Sequence, residues 1–176
     1  MAPETEDWTW VLERPCPQCG LDARSVARED IPAVIRANAA DWQRALSASA
    51  DPAARPAPDT WSPVEYACHV RDLLVLCDSR LELMLTRDDP VFANWDQDEA
   101  VVTGRYREQP PGRIAAQITG AAAAAARRFE RLTSDQWPRP ARRGDGVRFT
   151  VLAFGQNLVH EAVHHLYDVT GTPSDG

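Results

Sequence analysis

Lysine is absent from this chain: all 19 basic residues among its 176 are arginine. Set against 26 aspartates and glutamates they leave a formal net charge of -7. Nucleic-acid affinity comes largely from basic side chains that neutralise phosphates, so DNA and RNA are not expected partners. No apolar run approaches the roughly 20 residues that span a bilayer, so a membrane partner is not expected either. The first seven residues, Met-Ala-Pro-Glu-Thr-Glu-Asp, lack the basic and apolar regions of a secretory leader, and a cytoplasmic protein is expected. Cysteine and histidine are scarce at four residues each. Without a secretory leader the cysteines are expected as reduced thiols, metal ligands or redox groups rather than a disulfide framework.

What is present reads as one soluble domain with a short extension. Hydrophobic residues make up 44% and charged residues 26%, enough to build a substantial core at this length. Convincing strand alternation is missing, whereas four segments carry helical periodicity, so the expected fold is all-α. The first helix is expected over residues 29–49, with Ile31, Val34, Ile35, Asn38, Trp42 and Leu46 on one face. The second starts at Ser62-Pro63-Val64-Glu65, where a serine cap, a first-turn proline and a glutamate three residues on make a strong start signal. It runs to Thr86 and is apolar on much of its circumference, so it is expected deep in the fold. A third spans residues 112–132 with an uninterrupted alanine run, and a fourth spans residues 150–169. The connection over residues 87–111 is long for a turn and carries Trp95 and Asp96, which marks it as a candidate lid or pocket wall. The expected division is an extension at 1–28, a helical domain at 29–170 and a tail at 171–176. Alanine-rich faces permit a homodimer without demanding one.

The histidines concentrate the chemistry. His160 and His164 lie four residues apart, offset by about 40° and one turn, which suits a two-ligand clamp. A third ligand is expected from His69 on the second helix, giving a three-histidine site with a position open to water or substrate. His165 lies about 100° round the helix from His164 and is expected beside the site or at the surface, as a neighbour to the ligands. Glu161 and Asp168 are the other candidates for that supporting role. His160-Glu161-Ala162-Val163-His164 also satisfies the His-Glu-x-x-His pattern of zinc peptidases, with Glu161 as base. Downstream of His164, however, only Asp168 and Asp175 offer a further ligand, and Tyr167 stands where a longer variant of the motif needs glycine. That hydrolase reading is the least favoured.

Pro15-Cys16-Pro17-Gln18-Cys19-Gly20 has the shape of one zinc knuckle and supplies half a site. Cys68 and Cys77 face opposite sides of one helix and are poor partners for the other half. Cys16 and Cys19 are therefore expected to be structural, to cycle between dithiol and disulfide, or to lend a thiolate to the metal cleft.

Trp61-Ser-Pro-x-Glu-x-x-x-His69, the tryptophan-bearing connection and His160-x-x-x-His164-His165 together resemble the DinB/YfiT-like superfamily of metal-binding four-helix bundles. The resemblance covers residues 30–170. It implies an up-down-down-up bundle that holds one divalent ion, zinc or nickel, through His69, His160 and His164. By analogy with the family's mycothiol-dependent isomerase and the mycothiol or bacillithiol S-transferases, it further implies a small-molecule thiol and an electrophilic substrate as partners. A coordinated thiol is deprotonated near neutral pH and stays nucleophilic, so such a site suits thiol transfer or isomerisation. Trp95, Asp96, Arg142 and Arg148 are the expected contacts to cofactor or substrate. The alternative from another class is a non-catalytic, metal-dependent binding or stress protein.

Overall fold

The computed structural model describes residues 8–173, so the acidic first seven residues and Asp175 lie outside the described residues. Four long helices dominate: α1 (Ile31–Ala48), α2 (Pro63–Thr86), α4 (Pro111–Glu130) and α5 (Val151–Thr170), with a short α3 (Gln97–Thr103) between α2 and α4. Each long helix falls within two residues of its expected bounds. The expectation of an all-α chain is corrected by a small three-stranded sheet, β1 (Val91–Phe92), β2 (Pro140–Arg143) and β3 (Arg148–Thr150). β1 pairs parallel to β2, with Val91 opposite Arg142, and β2 pairs antiparallel to β3, with Ala141 opposite Phe149.

Local chemistry fixes the helix ends. At the start of α2 the Ser62 side chain accepts from the Glu65 backbone N–H while the Glu65 carboxylate accepts from Ser62 N–H, completing a reciprocal cap. Glu65 is 1% exposed, and Arg55 donates to both of its oxygens. Burial alone would raise the Glu65 pKa; the Arg55 guanidinium and the Ser62 donors outweigh it and hold the carboxylate below its ordinary range. Thr150 caps α5 by accepting from Ala153 N–H, and Gly171 ends that helix at φ +65°, a left-handed conformation that favours glycine.

The four long helices form a square in which α4 packs on both α1 and α2, and α5 packs on the same two from the opposite side. The consecutive helices α1 and α2 thus lie on a diagonal. Buried Ala122, Ala125 and Ala126 line α4 and let its neighbours approach closely, while Trp42, Leu74, Leu81, Ile118 and Leu158 fill the centre. Asn38, within the apolar face of α1, is buried because its amide donates to the Ala162 carbonyl of α5 at 3.0 Å. The N-terminal segment contributes two 3-10 turns, Trp8–Leu12 and Ala23–Ser25, which pack against α5. Val11 and Ala23 form a small core of their own there. Gln156 of α5 donates to the Val26 carbonyl at 3.1 Å and ties the two together.

Candidate metal centre

The inner face of α5 carries three buried imidazoles, His160 at 0%, His164 at 3% and His165 at 1% exposure. The four-residue spacing brings the His160 and His164 rings to 5.2 Å between centroids. Opposite them stands the turn of the knuckle, closed by Gly20 N–H to the Cys16 carbonyl at 3.0 Å and Cys16 N–H to the Leu21 carbonyl at 2.9 Å. Gly20 holds φ +81°, so the reversal after the second cysteine needs glycine's freedom. The result places Cys16 Sγ 3.5 Å from His164 Nδ1. Cys16, Cys19, His160 and His164 each offer one ligand atom, and these atoms all lie within 4.8 Å of one another.

The four side chains fit a tetrahedral ion. With metal bonds of about 2.3 Å to sulfur and about 2.0–2.1 Å to nitrogen, a tetrahedron has edges of about 3.3–3.8 Å. The Cys16–His164 separation lies in that range, and a modest contraction brings in the rest. Protonation states agree with the ligand role. Burial, then the neighbouring His164 and His165, pushes the His160 pKa down from its ordinary 6.5 to about 3, and burial lowers His164 against the pull of Asp168. Both imidazoles are therefore neutral at pH 7 with lone pairs to give. Burial raises the Cys19 thiol to about 11, and only a cation at this spot would reverse that.

Asp168 serves two rings at once. Its Oδ1 lies 3.5 Å from His164 Nε2 and its Oδ2 lies 3.1 Å from His165 Nδ1. A proton on His164 Nε2, held toward the carboxylate, leaves Nδ1 free to face the cysteines.

His69 does not join this group. It sits on α2 with its ring 4.8 Å from that of His165, at an interplanar angle of 88°, stacked on Trp95 at 5.0 Å and beside Trp61 at 5.4 Å. It is 1% exposed, and among the described residues neither of its ring nitrogens has a hydrogen-bond partner. Burial, then the adjacent His165, lowers its pKa well below 6.5. His165 is thus not a surface residue: Tyr66 lies 5.5 Å from its ring and His69 completes its enclosure.

The other expected residues have separate occupations. Trp95 lies against His69, but Asp96 caps α3 by accepting from Glu99 N–H at 2.8 Å. Arg142 and Arg148 both face Asp89, at 3.1 and 3.8 Å. Glu161 accepts from the Asn157 amide on its own helix and lies near Cys77 and Arg80 of α2. Cys68 and Cys77 are buried in the bundle and burial raises both thiols, Cys68 to about 12. The pairing of the knuckle with the α5 clamp is what sequence reasoning left open. Its signal was arithmetical: two half-sites, each with two ligands.

Comparison with known proteins follows the same lines. No curated protein matches the sequence. Among solved structures the chain is similar to YfiT from Bacillus subtilis, described as a probable metal-dependent hydrolase with an unusual four-helix bundle topology. The TM-score is 0.75 at 17% identity, over 82% of this chain and 84% of that one. It is also similar to the mycothiol-dependent maleylpyruvate isomerase, with a TM-score of 0.68 at 13% identity over 84% of this chain. A point mutant of that enzyme gives 0.69 at 12% identity over 86%. The chain spans 62% of the isomerase and 64% of its mutant. At such identities these likenesses show a common fold. The family model of the DinB superfamily matches residues 48–169, most of the chain, with all of α2 and α4 and all but the last residue of α5, and the protein belongs to that superfamily.

Proposed function

We propose that this protein is a zinc-binding member of the DinB superfamily whose ion is held by Cys16, Cys19, His160 and His164. One observation carries the reading: two thiols and two neutral imidazoles, all buried, with ligand atoms within 4.8 Å of one another. Such a soft, mixed donor set suits zinc better than nickel, and four protein ligands complete a tetrahedral shell. Bound there, zinc would fix the N-terminal extension to α5 and would supply a local positive charge that keeps both thiols deprotonated. Asp168 orients His164, and Trp10, whose ring lies 6.4 Å from that of His160, covers the site from the extension. No position is left for a water, so Glu161 has no activated water to serve and a peptidase reaction is not part of this reading.

A second reading is favoured by the enclosed His69, whose ring nitrogens lack partners among the described residues. In it His69 joins His160 and His164, the cysteines withdraw, and the ion gains an open position. A small-molecule thiol such as mycothiol would then be presented to an electrophile, making the protein a thiol-dependent S-transferase or isomerase. The likeness to the mycothiol-dependent isomerase fold supports this version.

Metal analysis of purified variants separates the two. In the first reading wild-type protein and His69→Ala carry one zinc per chain, while Cys16→Ser/Cys19→Ser and His160→Ala lose it. Loss of zinc from His69→Ala with retention by the double serine variant would transfer support to the three-histidine site. Consumption of mycothiol with a test electrophile, abolished by His160→Ala, would add the transferase activity.

A further inference from the structure

Residues 13–20 are exposed apart from two: Cys16 at 1% and Cys19 at 0%. The thiols are therefore roofed by one thin turn and lie outside the packed centre of the bundle, unlike Cys68 and Cys77. All four cysteines are thiols, not joined in a disulfide, and the two-residue spacing of the knuckle keeps Cys16 and Cys19 next to each other. The same turn belongs to the segment that packs on α5, where the hydrogen bond from Gln156 and the ring of Trp10 are among its other ties. The metal ligands that connect it to α5 are thus also its most oxidisable atoms.

We propose that Cys16 and Cys19 form a reversible oxidation site at which hydrogen peroxide converts the thiol pair into a disulfide, ejects the metal ion and loosens the N-terminal segment from α5. The proposal rests on the four-ligand reading above. One thiolate attacks a peroxide oxygen, the O–O bond breaks, and a sulfenic acid and hydroxide form. The second thiolate attacks that sulfur, the S–S bond forms and a second hydroxide leaves. Two protons turn the hydroxides into water, so the cysteines lose two electrons and the peroxide gains two. A disulfide cannot supply two thiolate ligands, and His160 and His164 alone are a weak pair for the ion. Two equivalents of a small thiol reverse the step by exchange, leaving as their own disulfide. Cys68 and Cys77 face opposite sides of α2 within the packed centre of the bundle, so they do not form such a pair.

The test uses the full chain loaded with zinc. Hydrogen peroxide is added while a chromogenic chelator reports free zinc, and the peptide containing both cysteines is weighed before and after. The expected result is release of one zinc per chain together with a mass loss of about two daltons in that peptide. Cys68 and Cys77 stay unmodified, dithiothreitol with added zinc restores binding, and peroxide treatment increases proteolytic cleavage around residues 8–25. Zinc that stays bound while the cysteines resist oxidation overturns the inference, as does zinc released with separate sulfinic acids in place of a disulfide. A chain that takes up no zinc under any condition refutes the metal reading itself, and is told apart by that absence of uptake.

Discussion

Asp168 receives two imidazoles from adjacent positions of one helix, His164 on one oxygen and His165 on the other. Through His164 it sets which ring nitrogen faces the cysteines, and through His165 it touches the group packed on His69. Carboxylates in this supporting position typically contribute 10–100-fold in metal affinity. Asp168→Asn should therefore weaken zinc binding by about that factor in a competition titration with a calibrated chelator, while the fold persists by circular dichroism. Unchanged affinity would show that the carboxylate does not orient the ligand. At this scale the sequence told unevenly. The His160 and His164 pair was visible because helical spacing is geometry written in the chain, and Asp168 was visible as a neighbour on the same face. His165 was expected beside the ligands or at the surface, and its contact with Asp168 and its burial place it beside them; an angle of about 100° says that it leaves their face, and says nothing of α2 waiting on the next.

Among the elements, α2 depends most on a local device. The Ser62 and Glu65 cap was legible because capping needs particular side chains three residues apart. Its burial and its pairing with Arg55, from the preceding loop, were not, since a loop's path is a tertiary matter. Removing the carboxylate in Glu65→Ala leaves Ser62 N–H and the Arg55 guanidinium without their acceptor, at an expected cost of about 3 kcal/mol. In a chain of this size that corresponds to a fall of roughly 6–12 °C in Tm. Glu65→Gln, which keeps an acceptor, should lose less, and a Glu65→Ala melting curve superimposable on wild type would contradict the assigned role. The small sheet shows the opposite limit. Its strands are two to four residues long and include Pro140-Ala141-Arg142-Arg143, too short and too charged for alternation to register. Only the folded chain, which brings Val91 beside Arg142, makes it a sheet.

The whole molecule closes on itself at the cluster of Cys16, Cys19, His160 and His164, since Cys16 and His164 are separated by 148 positions in the chain. That distance explains why each half-site was legible and their union was not: local patterns specify a turn and a helix face, while packing of the extension on α5 decides that they meet. The same burial that lowers the His160 and His69 pKa values should make the metal-free protein sensitive to acid. In the unfolded chain His160 takes up a proton near its ordinary 6.5, whereas in the folded chain it does so only at about 3; His69 is lowered likewise. Between those values the unfolded state binds more protons, so stability should fall as pH drops from about 6.5 toward 3 and be fully present above 6.5. Thermal melts of chelator-treated protein at pH 7.5 and 5 should show the lower Tm at pH 5; a Tm that holds or rises would mean that these rings are charged or exposed in the folded state.

The central claim concerns which atoms touch the ion, and X-ray absorption at the zinc edge of the loaded protein reads them directly. Two sulfur scatterers at about 2.3 Å and two nitrogen scatterers at about 2.0–2.1 Å are the expected first shell. A shell of nitrogen and oxygen alone, with no sulfur, would contradict the four-ligand site of Cys16, Cys19, His160 and His164.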